Sequence, residues 1–384
     1  SELAYQTYLE LAIDYYKIGR RDDAVAVLDL APQHPIVDVW WSFLKFSQDS
    51  TIALEYVLNQ EDLSPDLVFP YRLETLKVLQ WANGKSDLWK IKYYLALNYW
   101  GLGRDREALE ILNGMQENVH YAPLYTTRAH LRKQLDQDPR SDFEHALQIN
   151  KNDWRSWHQL ISFYGEKGLN EKMLVASKEA FERIPDSYVM GMHYARALLS
   201  DKKYLASIDV LKSINVLPYE GASQGRKLWQ EANLAAARDF MREQNWIKAI
   251  DLLQDSKDWP ENLGVGQPFD PDLRLSDYLL AKCYDKLGKS DLAKQHLESV
   301  ENYHASDPLQ PELNDLINIK IDREKNRSSS FLEKLDDSGN KILVNYLKAY
   351  ERGDQKEMTQ IEEKHSARFS GDLFDVLKFA IDLD

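Results

Sequence analysis

One spacing recurs along this chain and restricts its fold more than any other feature. It appears in "LELAIDYYKIGRRDDAVAVL" (9–28), "YYLALNYWGLGRDREALEIL" (93–112) and "YLLAKCYDKLGKSDLAKQHL" (278–297). Each stretch has a small residue, an aromatic three residues later, a glycine after seven and an alanine after twelve. These are Ala12, Tyr15, Gly19 and Ala24; then Ala96, Tyr99, Gly103 and Ala108; then Ala281, Tyr284, Gly288 and Ala293. The spacing recurs without glycine as Ala195, Leu198 and Ser207, and as Ala237, Phe240 and Ala249. "WHQLISFYGEKG" (157–168) carries Trp157, Leu160, Tyr164 and Gly168.

Such a spacing describes two helices that cross closely. Small residues on both helices let the backbones approach, and the aromatic one turn on fills the space beside the crossing. The glycine ends the first helix in a left-handed cap, and a polar stretch such as "RRDD" or "RDRE" starts the second. The pattern resembles the tetratricopeptide repeat family, whose units are helix–turn–helix pairs of about 34 residues. The resemblance covers roughly residues 1–300, less cleanly at 36–84 and 135–150. It implies an all-α, right-handed superhelical solenoid of antiparallel helix pairs. The segments "FPYRLETLKVLQWA", "WKIKYYLALNYWGLGR", "YAPLYTTRAHLRK", "INVLPYEGAS" and "WPENLGVGQPFDPDLRLSDYLLAKCYDKLG" resemble, more narrowly, the C-terminal repeat region of bacterial DUF5107-containing proteins. In that family the repeats follow a large β-rich N-terminal domain of unknown or carbohydrate-related role. The resemblance supplies no catalytic residues.

The expected helices lie near 2–18, 21–31, 36–47, 50–59, 68–83, 86–101, 104–114, 121–134, 139–149 and 153–167. They continue near 170–183, 187–200, 203–214, 220–244, 246–255, 272–287 and 290–300. Helix 68–83 has no obvious partner in its own pair, so the alternation is expected to be irregular across 36–84. Residues 1–304 are expected to form the repeats and 305–384 a divergent helical cap, entered through the polar hinge "DREKNRSSS" (322–330).

Composition excludes some functions. Acidic residues exceed basic ones by 62 to 48, for a net charge of −14. That disfavours a nonspecific nucleic-acid binder, which needs positive surface to displace counterions. No apolar run approaches the ~20 residues that span a bilayer. Cys283 is the single cysteine, so no internal disulfide framework exists. The chain opens on Ser1 with neither initiator Met nor signal segment, which suggests an excised fragment, with the cytoplasm preferred to the periplasm.

Catalytic motifs are mostly absent. "WPENLGVGQPFDPDLR" (259–274) lacks the third glycine of a dinucleotide fingerprint, and no strand precedes it. Two Gly-Lys-Ser triplets, at 84–86 and 288–290, lack the earlier glycine of a phosphate loop. The nine histidines form no His-Glu-x-x-His and no cysteine–histidine cluster, and no Gly-x-Ser-x-Gly occurs. No cofactor and no metal are expected. The 259–274 loop is then a long inter-repeat connection. Its Trp259, Leu263 and Phe269 are expected to pack on neighbouring helices, and Asp270 and Asp272 to cap the next helix.

Candidate binding residues come from the helical register. In stacked hairpins the residue after the small residue of the first helix faces the concave side. That row is Ile13, Leu97, His130, Ser162, Arg196, Arg238 and Lys282, changing from apolar to basic along the chain. A neighbouring stripe holds Tyr16, Trp100 and Lys133, and another Thr126, His158, Met192, Leu234 and Tyr278. Aromatics at these spacings usually pack between helices, and Tyr93 and Trp100 are candidates to lie off that packing face. The groove candidates are therefore Tyr93, Trp100, His130, His158, Arg196, Arg238, Tyr278 and Lys282. Arginine suits carboxylates or phosphates, unless these cations merely pair with acidic neighbours. Three readings stay open: a non-catalytic scaffold, an accessory module of a carbohydrate-active enzyme, or an architectural spacer. The scaffold would hold a peptide, a protein or an N-terminal domain of its own full-length chain, with an acidic ligand favoured by the basic row. In the accessory-module reading, the groove or the loops at 218–223 and 262–274 would complete an active site on that N-terminal domain.

Overall fold

A computed structural model describes residues 3–58, 63–115, 119–303, 310–327, 332 and 340–383. Residues 328–330 of the polar hinge lie outside these. Among the described residues the chain is all-α, built from short antiparallel helix pairs taken in sequence order. It divides into two compact units, Ser1–Leu160 and Ile161–Asp384.

In the first unit α1 (Ala4–Lys17) pairs with α2 (Arg21–Leu28), and α3 (Pro35–Lys45) with α4 (Ser50–Leu58). Then α5 (Leu73–Asn83) packs against both α3 and α6 (Trp89–Gly101), which itself pairs with α7 (Asp105–Asn113). The last pair is α8 (Ala122–Gln134) with α9 (Arg140–Ile149). So α5 stands outside the two-helix alternation. It begins at Leu73 rather than near 68, because Pro70 lacks an N–H and forces the residue before it out of the helical region.

The helix α10 (Trp154–Glu166) contains the division between the units. In the second unit α11 (Asn170–Arg183) packs on α12 (Tyr188–Ser200), which pairs with α13 (Tyr204–Ser213). The next pairs are α14 (Gln224–Arg242) with α15 (Trp246–Asp255), and α16 (Arg274–Lys286) with α17 (Ser290–Glu301). After these come α18 (Asp315–Glu324), α19 (Lys341–Arg352), α20 (Gln355–Lys364) and α21 (Asp372–Asp382).

The small-residue register governs the crossings. Ala12 and Ala24, Ala96 and Ala108, and Ala237 and Ala249 are all fully buried. Where serine replaces alanine, the Ser207 hydroxyl donates to the Ala195 carbonyl at 2.8 Å, so the small site still holds a satisfied polar group. The turn between paired helices needs a left-handed residue. Gly103 supplies it at φ +72°, while Gln244 takes the same place at φ +59° where the sequence has no glycine.

Candidate functional site

The first unit carries an open groove of about 630 Å³. Its walls are α6, α8, the start of α10 and the connector before α5. Tyr93, Leu97 and Trp100 fall four and three residues apart, so α6 presents all three on one stripe. On α8, Pro123, Thr126, Thr127 and His130 do the same.

The connector is extended, and its side chains alternate. Val68 and Pro70 are buried, whereas Leu67, Phe69 and Tyr71 are exposed. Its backbone is held at several points. Lys90 Nζ donates to the Leu63 carbonyl at 2.5 Å and Asn98 Nδ2 to the Arg72 carbonyl at 3.0 Å. The Tyr121 hydroxyl donates to Asp66 Oδ1 at 3.1 Å. Phe69, Pro70 and Tyr71 line the groove together with Trp100 and Gly101, and the Tyr71 hydroxyl donates to Glu10 Oε1 at 3.3 Å.

Most polar groups of the groove are already engaged. The Tyr93 hydroxyl lies 3.4 Å from Thr127 Oγ1, and Thr126 Oγ1 lies 3.2 Å from Ser156 Oγ. Trp100 Nε1 donates to Gln134 Oε1 at 3.1 Å, and its ring stacks with His130 at a centroid distance of 6.3 Å. Burial, helped by the charge of Lys133, pushes the His130 pKa down, so the imidazole favours its neutral form. The Asp153 carboxylate caps α10, accepting from the Arg155 N–H at 3.2 Å and the Ser156 hydroxyl at 2.5 Å. Arg155 is exposed, and its guanidinium lies 4.7 Å from the Trp154 ring centroid. Among the described residues it has no carboxylate partner. The groove is thus an aromatic trough whose lining includes a cation with no carboxylate partner among the described residues.

The structure disperses the other sequence candidates. Tyr93 is 4% exposed and forms floor rather than open surface, because its ring packs against Tyr94 and Tyr121. His158, half-buried, is not part of this lining. In the second unit the expected open basic row is broken. Arg238 is 5% exposed, bonded to Asp239 at 2.9 Å and to the Tyr204 hydroxyl at 3.2 Å. That hydroxyl donates to Asp372 Oδ1 at 2.6 Å, at the start of α21. Lys282 pairs with Glu324 at 3.2 Å, and Tyr278 is fully buried. Only Arg196 stays exposed, bonded to Gln224 Oε1 at 3.0 Å. The physical reason is that α21 packs on α14, α16 and α18 and closes over Arg238 through Asp372 and Tyr204, while Glu324 at the end of α18 engages Lys282.

The 259–274 loop is structural at its base. Asn262 Nδ2 donates to the carbonyls of Leu211 and Ile214, and the Val216 N–H donates back to the Asn262 carbonyl at 2.7 Å. A Cβ at Gly264 would sit 2.6 Å from the Val216 oxygen, and the residue has φ +64°. Glycine is therefore demanded by close backbone approach rather than by a phosphate. Leu263 is buried as expected, but Phe269 is entirely solvent-exposed, contrary to the expectation that it packs. Asp272, not Asp270, accepts the Arg274 N–H at 3.1 Å.

Among the described residues no group of His, Cys, Asp and Glu is placed to hold a metal ion, and no helix is long and apolar enough to cross a membrane.

The residues that sequence reasoning missed are Phe69, Pro70, Tyr71 and Arg155. The available signal was "VFPYR", an aromatic–proline–aromatic run in which proline forbids the helix assigned there.

No protein-family model matches the chain, and no curated protein matches its sequence. Solved structures with a similar helical arrangement include a thermophilic TPR protein from Thermus thermophilus, at 23% identity and a TM-score of 0.26, covering 51% of this chain and 100% of that one. A tetratricopeptide repeat protein from Parabacteroides merdae aligns at 14% identity and a TM-score of 0.32, covering 73% and 98%. PilW, a type IV pilus biogenesis factor, aligns at 15% identity and a TM-score of 0.28, covering 56% and 93%.

Proposed function

We propose that this chain is a non-catalytic scaffold whose first unit holds an extended protein segment in the Trp100 groove. The observation that carries this reading is the trough itself. Its aromatic walls are held by the surrounding framework, and its polar groups are mostly engaged with one another. Such a site gains by taking apolar side chains out of water and has little hydrogen-bonding capacity left for a sugar. The engagement of Asp153 as a helix cap weighs against the carbohydrate reading in particular. For the second unit, the engagement of Arg238 beneath α21 and of Lys282 by α18 favours an architectural role.

The test is a peptide array probed with the chain and with Trp100→Ala. Peptides with an aromatic or aliphatic residue next to an acidic one should be captured, and the variant should lose at least about tenfold in affinity, or about 1.4 kcal/mol. Capture that is indifferent to Trp100 refutes the reading. Turnover of glycoside, ester or phosphate substrates by the chain would refute its non-catalytic part.

A further inference from the structure

We infer that a second copy of this chain places its Phe269 loop in the Trp100 groove, an inference that rests on the peptide-binding reading above. Residues 266–270, Gly-Gln-Pro-Phe-Asp, are all exposed, and the Phe269 ring has no packing partner among the described residues. A phenyl ring held wholly in water is a strong anchor for a partner pocket, because its full apolar area remains to be buried.

The loop is also anchored at both ends. On one side Gly264 and Asn262 are locked onto the 211–216 connection. On the other, buried Arg274 ties Asp272 to Glu312 and Asp315. Pro268 and Pro271 flank Phe269-Asp270 and restrict the backbone between these anchors. The anchors and the two prolines shorten the stretch that must be ordered on docking.

The chemistry of the two surfaces matches. The trough offers apolar walls from Phe69, Tyr71, Leu97 and Trp100, with Arg155 in its lining. The loop offers an aromatic ring followed at once by Asp270, an exposed carboxylate with no partner among the described residues. Phe269 fills the trough and Asp270 meets the Arg155 guanidinium. The contact joins two different patches, so copies associate either reciprocally as a pair or head to tail.

The experiment uses the full chain and a fluorescein-labelled peptide of residues 264–272. The peptide should raise its anisotropy with the chain, and Arg155→Glu should weaken binding at least about tenfold. Both that position and Phe269 are exposed, so their variants should fold. Sedimentation velocity should show mass rising with chain concentration, and Phe269→Ala should abolish the rise. Pairing Asp270→Lys with Arg155→Glu should restore it. A chain whose mass is independent of concentration, or whose association survives Phe269→Ala, overturns the inference. If array peptides still bind through Trp100 but the 264–272 peptide does not, this inference fails and the groove reading stands. If neither binds, both fail.

Discussion

Replacing Arg274 with methionine should destabilise the second unit by about 3 kcal/mol at neutral pH, at the lower end of the 3–5 kcal/mol typical of breaking a buried ion pair. The Arg274 side chain is 4% exposed and binds Glu312 and Asp315 at 2.6 Å and Asp272 at 3.0 Å. It also donates to Asn318 Oδ1 at 2.9 Å and stacks over the Tyr303 ring at 4.3 Å. Methionine keeps most of the volume but leaves three carboxylates facing one another. Those carboxylates are only partly buried, so water relieves some of the cost, which is why the lower end applies.

The loss should depend on pH, with a sign the structure determines. Burial, then the charge of Asp272, raise the Glu312 pKa, and Arg274 opposes both. Without Arg274 the rise is larger. A carboxylate whose folded pKa lies above its unfolded value takes up a proton on folding, so stability increases as pH falls through the folded pKa toward the unfolded one. The deficit of the variant should therefore be smaller at pH ~5 than at pH ~7, approaching the unfolded glutamate value near ~4.3. Urea unfolding at the two pH values measures the deficit, and amide exchange in α18 localises it, since helical repeats can open in parts. Arg274→Lys should lose less, keeping the charge without the planar fork. A neutral-pH deficit under about 1 kcal/mol, or one unchanged by acidification, would refute the reasoning.

Ala108→Leu should overpack the α6–α7 crossing, where Ala96 and Ala108 are both fully buried. The cost is about 1–3 kcal/mol, seen as a lowered melting temperature. His34 caps α3 by accepting the Ile36 N–H on Nδ1 at 3.2 Å, and it stacks on Tyr5 at 3.4 Å. Burial pushes its pKa from 6.5 down to about 4. Its contribution should be complete above pH 6.5 and lost as pH falls toward about 4, because the unfolded chain accepts a proton that the folded one refuses. His34→Asn retains an acceptor and should flatten that part of a melting-temperature profile.

How much was legible depended on how local the governing physics was. The crossing of Ala96 with Ala108 could be read directly, because both positions follow from helical periodicity and a single left-handed turn at Gly103. The stripe placing Leu97, Trp100, Thr126 and His130 was equally local, each helix contributing residues three and four apart. The Phe69–Tyr71 wall was misassigned to a helix although its cause, Pro70, was in plain view.

What tertiary structure alone decided was which faces remain open. Arg196, Arg238 and Lys282 occupy equivalent repeat positions and so look alike in sequence. Arg238 is closed off by Tyr204, Asp372 and the α21 covering, and Lys282 by Glu324, while Arg196 stays in solvent. The helix over Arg238 comes from the far end of the chain, and no periodicity links it to that residue. Phe269 shows the converse: an aromatic expected to pack is left in water, in a stretch anchored at its ends by Asn262 and Arg274. Repeat geometry is written into each short segment by sterics. Exposure is the outcome of competition among distant segments for the same apolar surface, which a local pattern does not encode.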